Sequence, residues 1–541
     1  MKLRFRQYLT FTGLVLFSGF VRAEVRPNIV FIFSDDHADQ AISAYGHPIS
    51  KLAPTPNLDR LAEGGMRFTR CMVTSSICGP SRATILTGKY SHLNGFYFNE
   101  DTEFDGSQPT FPKLLQAGGY ETAIIGKWHL GSEPTGFDHW ELLPGQGLYY
   151  QPDFRTPDGL QIEDGYVTDV ITDKAIDWLS HQRDTSKPFV LMVQHKAAHR
   201  EWSPPVKYLE LFEGITFPEP ATLLDDYRGR TTAAHDQDMS LAVTFEKDRD
   251  LKVDVRQPGS VFYERVYSKL TPEQKVAWDR NLDRREAEYN DPDLKGVALT
   301  RWKFQSYLRD YLAVVRSMDD NIGRLLDYLE SSGLGENTIV IYSSDQGFYL
   351  GEHGWFDKRF MYDESYRTPL LVRWPGVVEP GSVNSDIVSN LDFAQTFLDM
   401  AQIPADPSMQ GASIVPILKG NTPDDWRQYH YYHYYEYPGW HMVQRHEGVY
   451  DGRYKLIHFY DLDEWELIDM ETDPHELTNQ YHSPAYASVK RRLHAALADV
   501  KKRYEVPEGI PAPRVGIDPQ RYYSTERKLI EAQRKSSSQN H

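Results

Sequence analysis

Two apolar runs, each ending in acid, constrain the fold most: "PNIVFIFSDD" (27–36) and "NTIVIYSSD" (337–345). Neither alternates apolar with polar residues, so neither has a face for water. Strands of this kind are buried on both sides, as in parallel sheets covered by helices. Similar runs recur at "TAIIGKW" (122–128), "PFVLMVQH" (188–195) and "PLLVRW" (369–374). Helical patterns lie between them. The clearest carries Phe304, Leu308, Tyr311, Val315, Met318, Ile322, Leu325 and Leu329 at alternating steps of four and three, one apolar stripe on a long helix. This alternation predicts an α/β fold: a large, mainly parallel sheet flanked by helices.

The chain has 541 residues, which accords with two domains. We place the larger over 24–425, with a polar, charge-rich segment at 213–300 read as a surface insertion holding some helix. From 426 to 541 the character changes. "GVYDGRYKLIHFYDLDEWELIDM" (448–470) reads as strands joined by tight polar turns, with a helix near 485–504. A smaller α+β domain with an antiparallel sheet is expected there. The tail "RKSSSQNH" is expected to be disordered. At the other end, Lys2, Arg4 and Arg6 precede an apolar stretch over about 8–20, and Val21 and Ala23 stand at the −3 and −1 positions of a cleavage site. Residues 1–23 therefore read as a signal peptide, with the mature protein periplasmic or secreted. The apolar stretch is short for a spanning helix. No later segment is long and apolar enough to span, so no stable membrane association is expected.

The balance of 59 basic against 77 acidic residues gives a net charge of −18. That excludes nucleic-acid binding through the overall field. An anionic substrate would need a local basic pocket. The two cysteines, Cys71 and Cys78, make at most one bridge across a tiny loop, a poor framework disulfide.

Asp35 and Asp36 end the first run, and Asp345 and Gln346 follow another. Ligands of open α/β sheets bind beyond the carboxyl ends of strands. One acidic pair would read as a turn or cap. Two at two strand ends make an all-oxygen site that suits Ca²⁺ or Mg²⁺ better than zinc. Cys78 opens "CGPSRATILTGK". Pro80 fits a first helical turn, which puts Cys78 at or just before a helix N-terminus, where an anion is favoured. Arg82, one turn on, points the same way.

"CGPSR" resembles the C-x-P-S-R signature of type I sulfatases, and Thr87-Gly88-Lys89 extends the likeness. "PNIVFIFSDD", "GKWHLG" (126–131), "SDQG" (344–347), "RYKLI" and "WELIDMETDPHE" resemble the family in its order, across essentially the whole mature chain. The resemblance implies an alkaline-phosphatase-like fold. It implies that a formylglycine-generating or sulfatase-maturing enzyme oxidises Cys78 to formylglycine, whose hydrated gem-diol is the nucleophile. It implies one Ca²⁺ held by Asp35, Asp36, Asp345, Gln346 and the modified Cys78; the family often has Asn or His where Gln346 stands. Arg82 then matches the arginine that steadies the gem-diol, Lys127 the lysine on the sulfate, and His129 the histidine that helps collapse the sulfated intermediate. His199 and Lys358 match the pair that binds sulfate and protonates the leaving alcohol, with His195 and Lys196 as nearby competitors.

"PTGFDHWELLPGQGLYYQPDF" (134–154), "SDQGFYLGEHGWFDKRFMYDESYRTPLLVRWPG" and "YYEYPGWHMVQRHEGV" resemble bacterial exo-acting sulfatases that remove 6-O-sulfate from N-acetylglucosamine in host glycans. In that group, residues flanking the catalytic lysine hold a sugar hydroxyl; here they are Asp357 and Arg359, with His446 as a further candidate. The tyrosine-rich "YHYYHYYEY" (429–437) reads as packed strand aromatics rather than a sugar platform. Uronate-2-sulfatases and algal polysaccharide sulfatases share similar motifs and form the alternative. Lower-ranked rivals are a choline or aryl sulfatase, an inactive glycan-binding homologue, and a phosphate-ester hydrolase. The last would normally use two zinc ions and a Ser or Thr nucleophile.

Overall fold

The computed structural model describes residues 26–530 and 532. The signal peptide with its cleavage point, and the 534–541 tail, lie outside the described residues. The large sheet contains eleven strands: β1 (Asn28–Ser34), β2 (Met66–Met72), β3 (Glu121–Lys127), β4 (His139–Leu143), β5 (Asp153–Thr156), β6 (Gly159–Ile162), β7 (Phe189–Gln194), β8 (Thr338–Ser344), β9 (Arg367–Arg373), β10 (Ser382–Asn384) and β11 (Val388–Ser389). Their order is β10-β2-β9-β8-β1-β7-β3-β4-β5-β6, with β11 also pairing β2. The centre, β8-β1-β7-β3-β4, is parallel. The run at 369–374 departs from that pattern: β9 lies antiparallel to both β8 and β2.

Every residue of β1 is buried, and its alternation sorts them between two cores. Val30 and Ile32 pack with Leu308, Tyr311, Val315 and Ile322 of the long helix Gly296–Ser331. Ile29, Phe31 and Phe33 pack on the other face with Ile85, Phe111, Phe393 and Phe397. The ring centroids of Phe31 and Phe397 are 5.1 Å apart. The continuous apolar run thus reflects a strand with helices on both sides.

The 213–300 segment is not a surface appendage. Leu241, Phe245, Leu251, Val253, Phe262, Trp278 and Leu282 are buried in the same core as the long helix. Its weak periodicity arises because it is mostly turns and short helices, apart from Pro272–Tyr289, so its apolar residues point inward without a fixed repeat.

A second sheet orders β12 (His430–Tyr434), β13 (His446–Tyr450), β14 (Tyr454–Phe459) and β15 (Glu464–Asp469), all antiparallel. The helix Ala487–Arg503 covers one face through Leu493, Leu497 and Val500. The other face packs Tyr432, Tyr434, Ile457 and Phe459 against Phe360, Met361 and Tyr366 from the region after β8. The tyrosines of β12 are therefore packed aromatics. Beyond the helix the chain returns to the larger sheet's loops, where Arg521 reaches Glu100 (3.1 Å) and Ser524 donates its amide to Asp238 (2.6 Å).

Candidate active site

The candidate residues converge because the strands do. β1 and β8 run in register, Ser34 opposite Ser344, so the acidic dipeptides after them leave the sheet side by side. Asp36 turns through a left-handed backbone, φ 61°. Its amide donates to Asp345 Oδ1 (3.0 Å), and its carbonyl accepts from the Tyr311 hydroxyl (2.7 Å). Tyr311 thereby ties the long helix to the site.

Carboxylate oxygens of Asp35, Asp36 and Asp345 lie within 4.8 Å of one another, all buried. Burial and then the neighbouring Asp35 push Asp345 up to about 7, against the pull of Arg82. Burial pushes Asp36 up to about 6, against Lys358. Asp35 behaves oppositely: burial opposes its charge, yet Lys127, His199 and Arg82 together hold it well below the usual carboxylate range. Gln346 donates its Nε2 to Asp36 (2.5 Å), while its Oε1 is buried without a hydrogen-bond partner among the described residues. Three crowded carboxylates and an orphaned amide oxygen fit one hard divalent cation.

Cys78 begins the helix Cys78–Thr87, all of it buried. Its thiol donates to Asp35 Oδ1 at 3.3 Å. Burial and Asp35 push the thiol well above its ordinary range, so as cysteine it is protonated and a poor nucleophile. Both cysteines are free and buried. Ser81 locks the helix in place: its hydroxyl donates to the Asp345 carbonyl (2.5 Å) and accepts from Asn390 (2.9 Å). Arg82 lies over the Phe33 ring at 5.0 Å. It donates to Asp345 Oδ2 (3.1 and 3.3 Å), to the Lys127 carbonyl (3.0 Å) and to Gln194 Oε1 (3.0 Å). A guanidinium spread over three elements in this way fixes the nucleophile helix against the strand ends.

Lys127, the last residue of β3, pairs with Asp35 and donates to Gln146 Oε1 (2.5 Å). Gln146 also meets His129 Nε2 (3.1 Å). His129 has φ 58°, and its Nδ1 is buried without a partner among the described residues. Burial and then Lys127 hold its pKa well below normal, so it is a neutral base. Lys358 grips both oxygens of Asp36 (2.6 and 2.7 Å). Burial opposes its charge, but Asp36 together with Cys78, Asp357 and Asp35 outweighs it and keeps the lysine protonated. His199 Nε2 lies 3.8 Å from Asp36 Oδ2, and its Nδ1 is fixed on the Arg200 carbonyl (2.6 Å). Burial, then Lys127, makes it neutral too.

His129, His199 and Lys358 line a cavity of about 230 Å³ together with Asp357, Arg359 and His441. Neither competitor, His195 nor Lys196, lines it; Lys196 sits over the Tyr149 ring at 4.5 Å. Asp357 and Arg359 also line it and bond to each other (2.8 Å). Both have left-handed backbones, φ 76° and 104°. Arg359 is held there by its backbone amide, which donates to Ser365 Oγ (2.8 Å), and by its guanidinium, which donates to the Tyr434 hydroxyl (3.1 Å) and Glu436 Oε1 (3.2 Å). Strain of this kind persists where surrounding contacts over-determine it, as at functional sites.

His446 does not reach the cavity. It is fully buried, its ring stacked on Tyr432 and its Nε2 accepting from the Met361 amide (3.2 Å). It opens β13, and its side chain enters the core between the two sheets. The histidine of this stretch that lines the cavity is His441, whose Nε2 lies 3.2 Å from Asp357 Oδ2 and whose Nδ1 meets the Asp238 carbonyl (2.7 Å). Sequence reasoning also missed Gln146, Gln194 and Trp440. Nothing local marks an isolated glutamine; only the register of β3 against β7 brings Gln194 to Arg82.

This geometry agrees with a family model described as sulfatase, which matches residues 27–403. The chain belongs to the sulfatase family. A second model, N-sulphoglucosamine sulphohydrolase, C-terminal, matches 351–503. The sulfatase is 52% identical to an N-acetylglucosamine-6-O-sulfatase of Bacteroides thetaiotaomicron, over 89% of this chain and 87% of that one. It superposes with TM-score 0.87, at 50% identity, on a structure in complex with its substrate D-glucosamine-2-N,6-O-disulfate, covering 89% of this chain and 99% of that one. A phosphonate monoester hydrolase of Agrobacterium radiobacter superposes at TM-score 0.66 and 20% identity, over 90% of this chain and 100% of that one, and shares the alkaline-phosphatase-like fold. The chain is a sulfatase acting on sulfuric esters, with a mixed sheet whose centre is parallel and a C-terminal antiparallel sheet.

Proposed function

We propose that this sulfatase removes 6-O-sulfate, in exo fashion, from a terminal N-acetylglucosamine-type sugar of a glycan. The observation that carries this reading is the joint lining of one cavity. Lys358, His199 and His129 supply a cation and proton-transferring groups; Asp357, Arg359 and His441, linked through Asp357, line the same cavity as a polar fork suited to sugar hydroxyls. The 52% identity to an N-acetylglucosamine-6-O-sulfatase supports the same substrate class.

The chemistry assigns a role to each residue. Cys78 is the site of formylglycine, formed by a maturing enzyme, and Asp35, Asp36, Asp345 and Gln346 would hold Ca²⁺ beside it. When present, these groups supply a hydroxyl nucleophile that can later release sulfate, together with positive charge over the ester. Arg82 and Lys127 keep the nucleophile and the acidic cluster aligned. Lys358 holds the sulfate. A bound sulfate brings negative charge beside His199 and raises its proton affinity, so His199 protonates the departing sugar oxygen. His129, neutral and with a free Nδ1, takes the proton that must leave the nucleophile for sulfate to depart. Each cationic contact is preorganised in a buried pocket, where it acts most strongly on developing charge. The basic leader at Lys2, Arg4 and Arg6 supports export to the periplasm or outside, where such glycans are met.

Substituting the fork tests this reading. A charge-assisted hydrogen bond contributes about 1.5–3 kcal/mol, or roughly ten- to over a hundredfold in rate. Arg359→Ala should lower kcat/KM for N-acetylglucosamine-6-sulfate by about that factor relative to its effect on a small aryl sulfate. A panel of 2-, 3-, 4- and 6-sulfated monosaccharides should show preference for the 6-sulfate. Equal losses on sugar and aryl substrates, or preference for a 2-sulfated uronate, would contradict it.

A further inference from the structure

The 213–300 segment brings a charge into the cavity that the roles above leave unused. Arg249 lines the cavity together with His199, Lys358 and Arg359. Its side chain retains 23% exposure, and its Nε is buried without a hydrogen-bond partner among the described residues. Its nearest carboxylate, Glu201, is 3.8 Å away and is already engaged by Arg265 at 2.5 Å. Burial and the neighbouring Arg200 work against its charge, so an anion arriving there relieves an existing strain.

The loop bearing Arg249 is fixed on three sides. Arg200, adjacent to His199, grips Asp250 with two bonds (2.7 and 2.6 Å). Asp250 Oδ2 accepts from the Glu246 amide (2.8 Å). The C-terminal segment closes the third side: Thr525 donates its amide to Glu246 (3.1 Å), and Glu526 accepts from the Lys247 amide (3.0 Å). An arginine on a clamped loop, facing the substrate cavity with donors to spare, is preorganised for a ligand rather than for the scaffold.

We propose that Arg249 recognises a second anionic group on the substrate, distinct from the sulfate that is cleaved. The inference rests on the reading of the cavity as a sulfated-sugar site. Guanidinium geometry suits a sulfonate or a carboxylate in bidentate fashion. The shared chemistry therefore covers an N-sulfonate on the same sugar and a uronate carboxylate on the neighbouring one.

The test compares wild type, Arg249→Ala and Arg249→Lys on three substrates: N-acetylglucosamine-6-sulfate, glucosamine-2-N,6-O-disulfate, and a 6-sulfated N-acetylglucosamine linked to a uronic acid. Arg249→Ala should lower kcat/KM on at least one of the two dianionic substrates about tenfold or more, relative to its effect on the monosulfated sugar. The change should lie in KM, and Arg249→Lys should restore part of it. Whichever dianion loses its advantage identifies the source of the second charge. Calorimetry of glucosamine-2-N,6-O-disulfate binding to Cys78→Ala, with and without Arg249→Ala, reads the same contact without turnover. Equal losses on all three substrates, or no loss on any dianion and no change in binding, would overturn the proposal. Failure of wild type to cleave any of these sugars while it cleaves an aryl sulfate would instead overturn the substrate reading.

Discussion

Replacement of Cys78 by Ala should abolish turnover while leaving the fold intact. The expected loss is about 10⁴-fold or more, the scale on which removing a nucleophile acts when the rest of a site survives. The structural effect is small by comparison. Cys78 is buried and, among the described residues, its thiol has hydrogen-bonding contacts with Asp35 and Gln346 alone, so deletion of one sulfur destabilises by an amount of the order of 1 kcal/mol. Cys78→Ser separates the steps further. A serine hydroxyl can accept the sulfuryl group but has no second hydroxyl through which to expel it. This variant should therefore stall after at most one turnover, with sulfate retained on the protein. Intact mass and steady-state rates read both outcomes. Activity in Cys78→Ala within tenfold of wild type would contradict the assignment.

Removal of the divalent cation proposed for the acidic site should have the second-largest effect. A cation over a developing oxyanion contributes several kcal/mol, so chelation should cut the rate by about 10³-fold, with Ca²⁺ restoring it. Asp345→Ala should lose a similar factor and resist rescue. The same site governs stability in a pH-dependent way. Asp345 at about 7 and Asp36 at about 6 stand above the ordinary carboxylate value of 3.8. Between about pH 4 and pH 7 these two carboxyls hold protons in the cation-free folded chain that they lose in the unfolded one, so their contribution to stability falls as pH rises through that window, while His129 and His199, kept neutral by burial, contribute with the opposite sign below their ordinary value of 6.5. Asp35, held low, acts with the opposite sign but below its ordinary value, outside the window. A cation takes the place of those protons. Calcium should therefore raise the melting temperature more at about pH 7.5 than at about pH 5. Rescue by Zn²⁺ and not by Ca²⁺ would point to a phosphatase-like centre.

The parallel centre of the sheet was legible because burial on both faces leaves an unbroken apolar run, as in β1 and β8. The acidic site followed from the same runs, since both end in Asp at the carboxyl edge. The direction of β9 was not legible, because "PLLVRW" is equally apolar in either orientation. The 213–300 segment was misread for a physical reason: its buried side chains hang from turns, and turns have no periodicity to detect. His441 and His446 lie five residues apart in one polar stretch. Which of them faces the cavity depends on a tight turn before β13, where His441 takes a left-handed backbone, and on the pairing of β13 with β12 and β14. Arg249 was invisible for the same reason as its loop. Its position is set by Arg200 and by Thr525 and Glu526, 49 residues before it and more than 270 after it in the chain.

The most direct measurement is a peptide mass spectrum spanning Cys78, taken on preparations of differing specific activity. The account predicts an aldehyde in place of the thiol, with sulfate release rising in proportion to the aldehyde fraction and vanishing when the thiol alone is present. Full sulfate release from a preparation whose Cys78 is entirely thiol would contradict it.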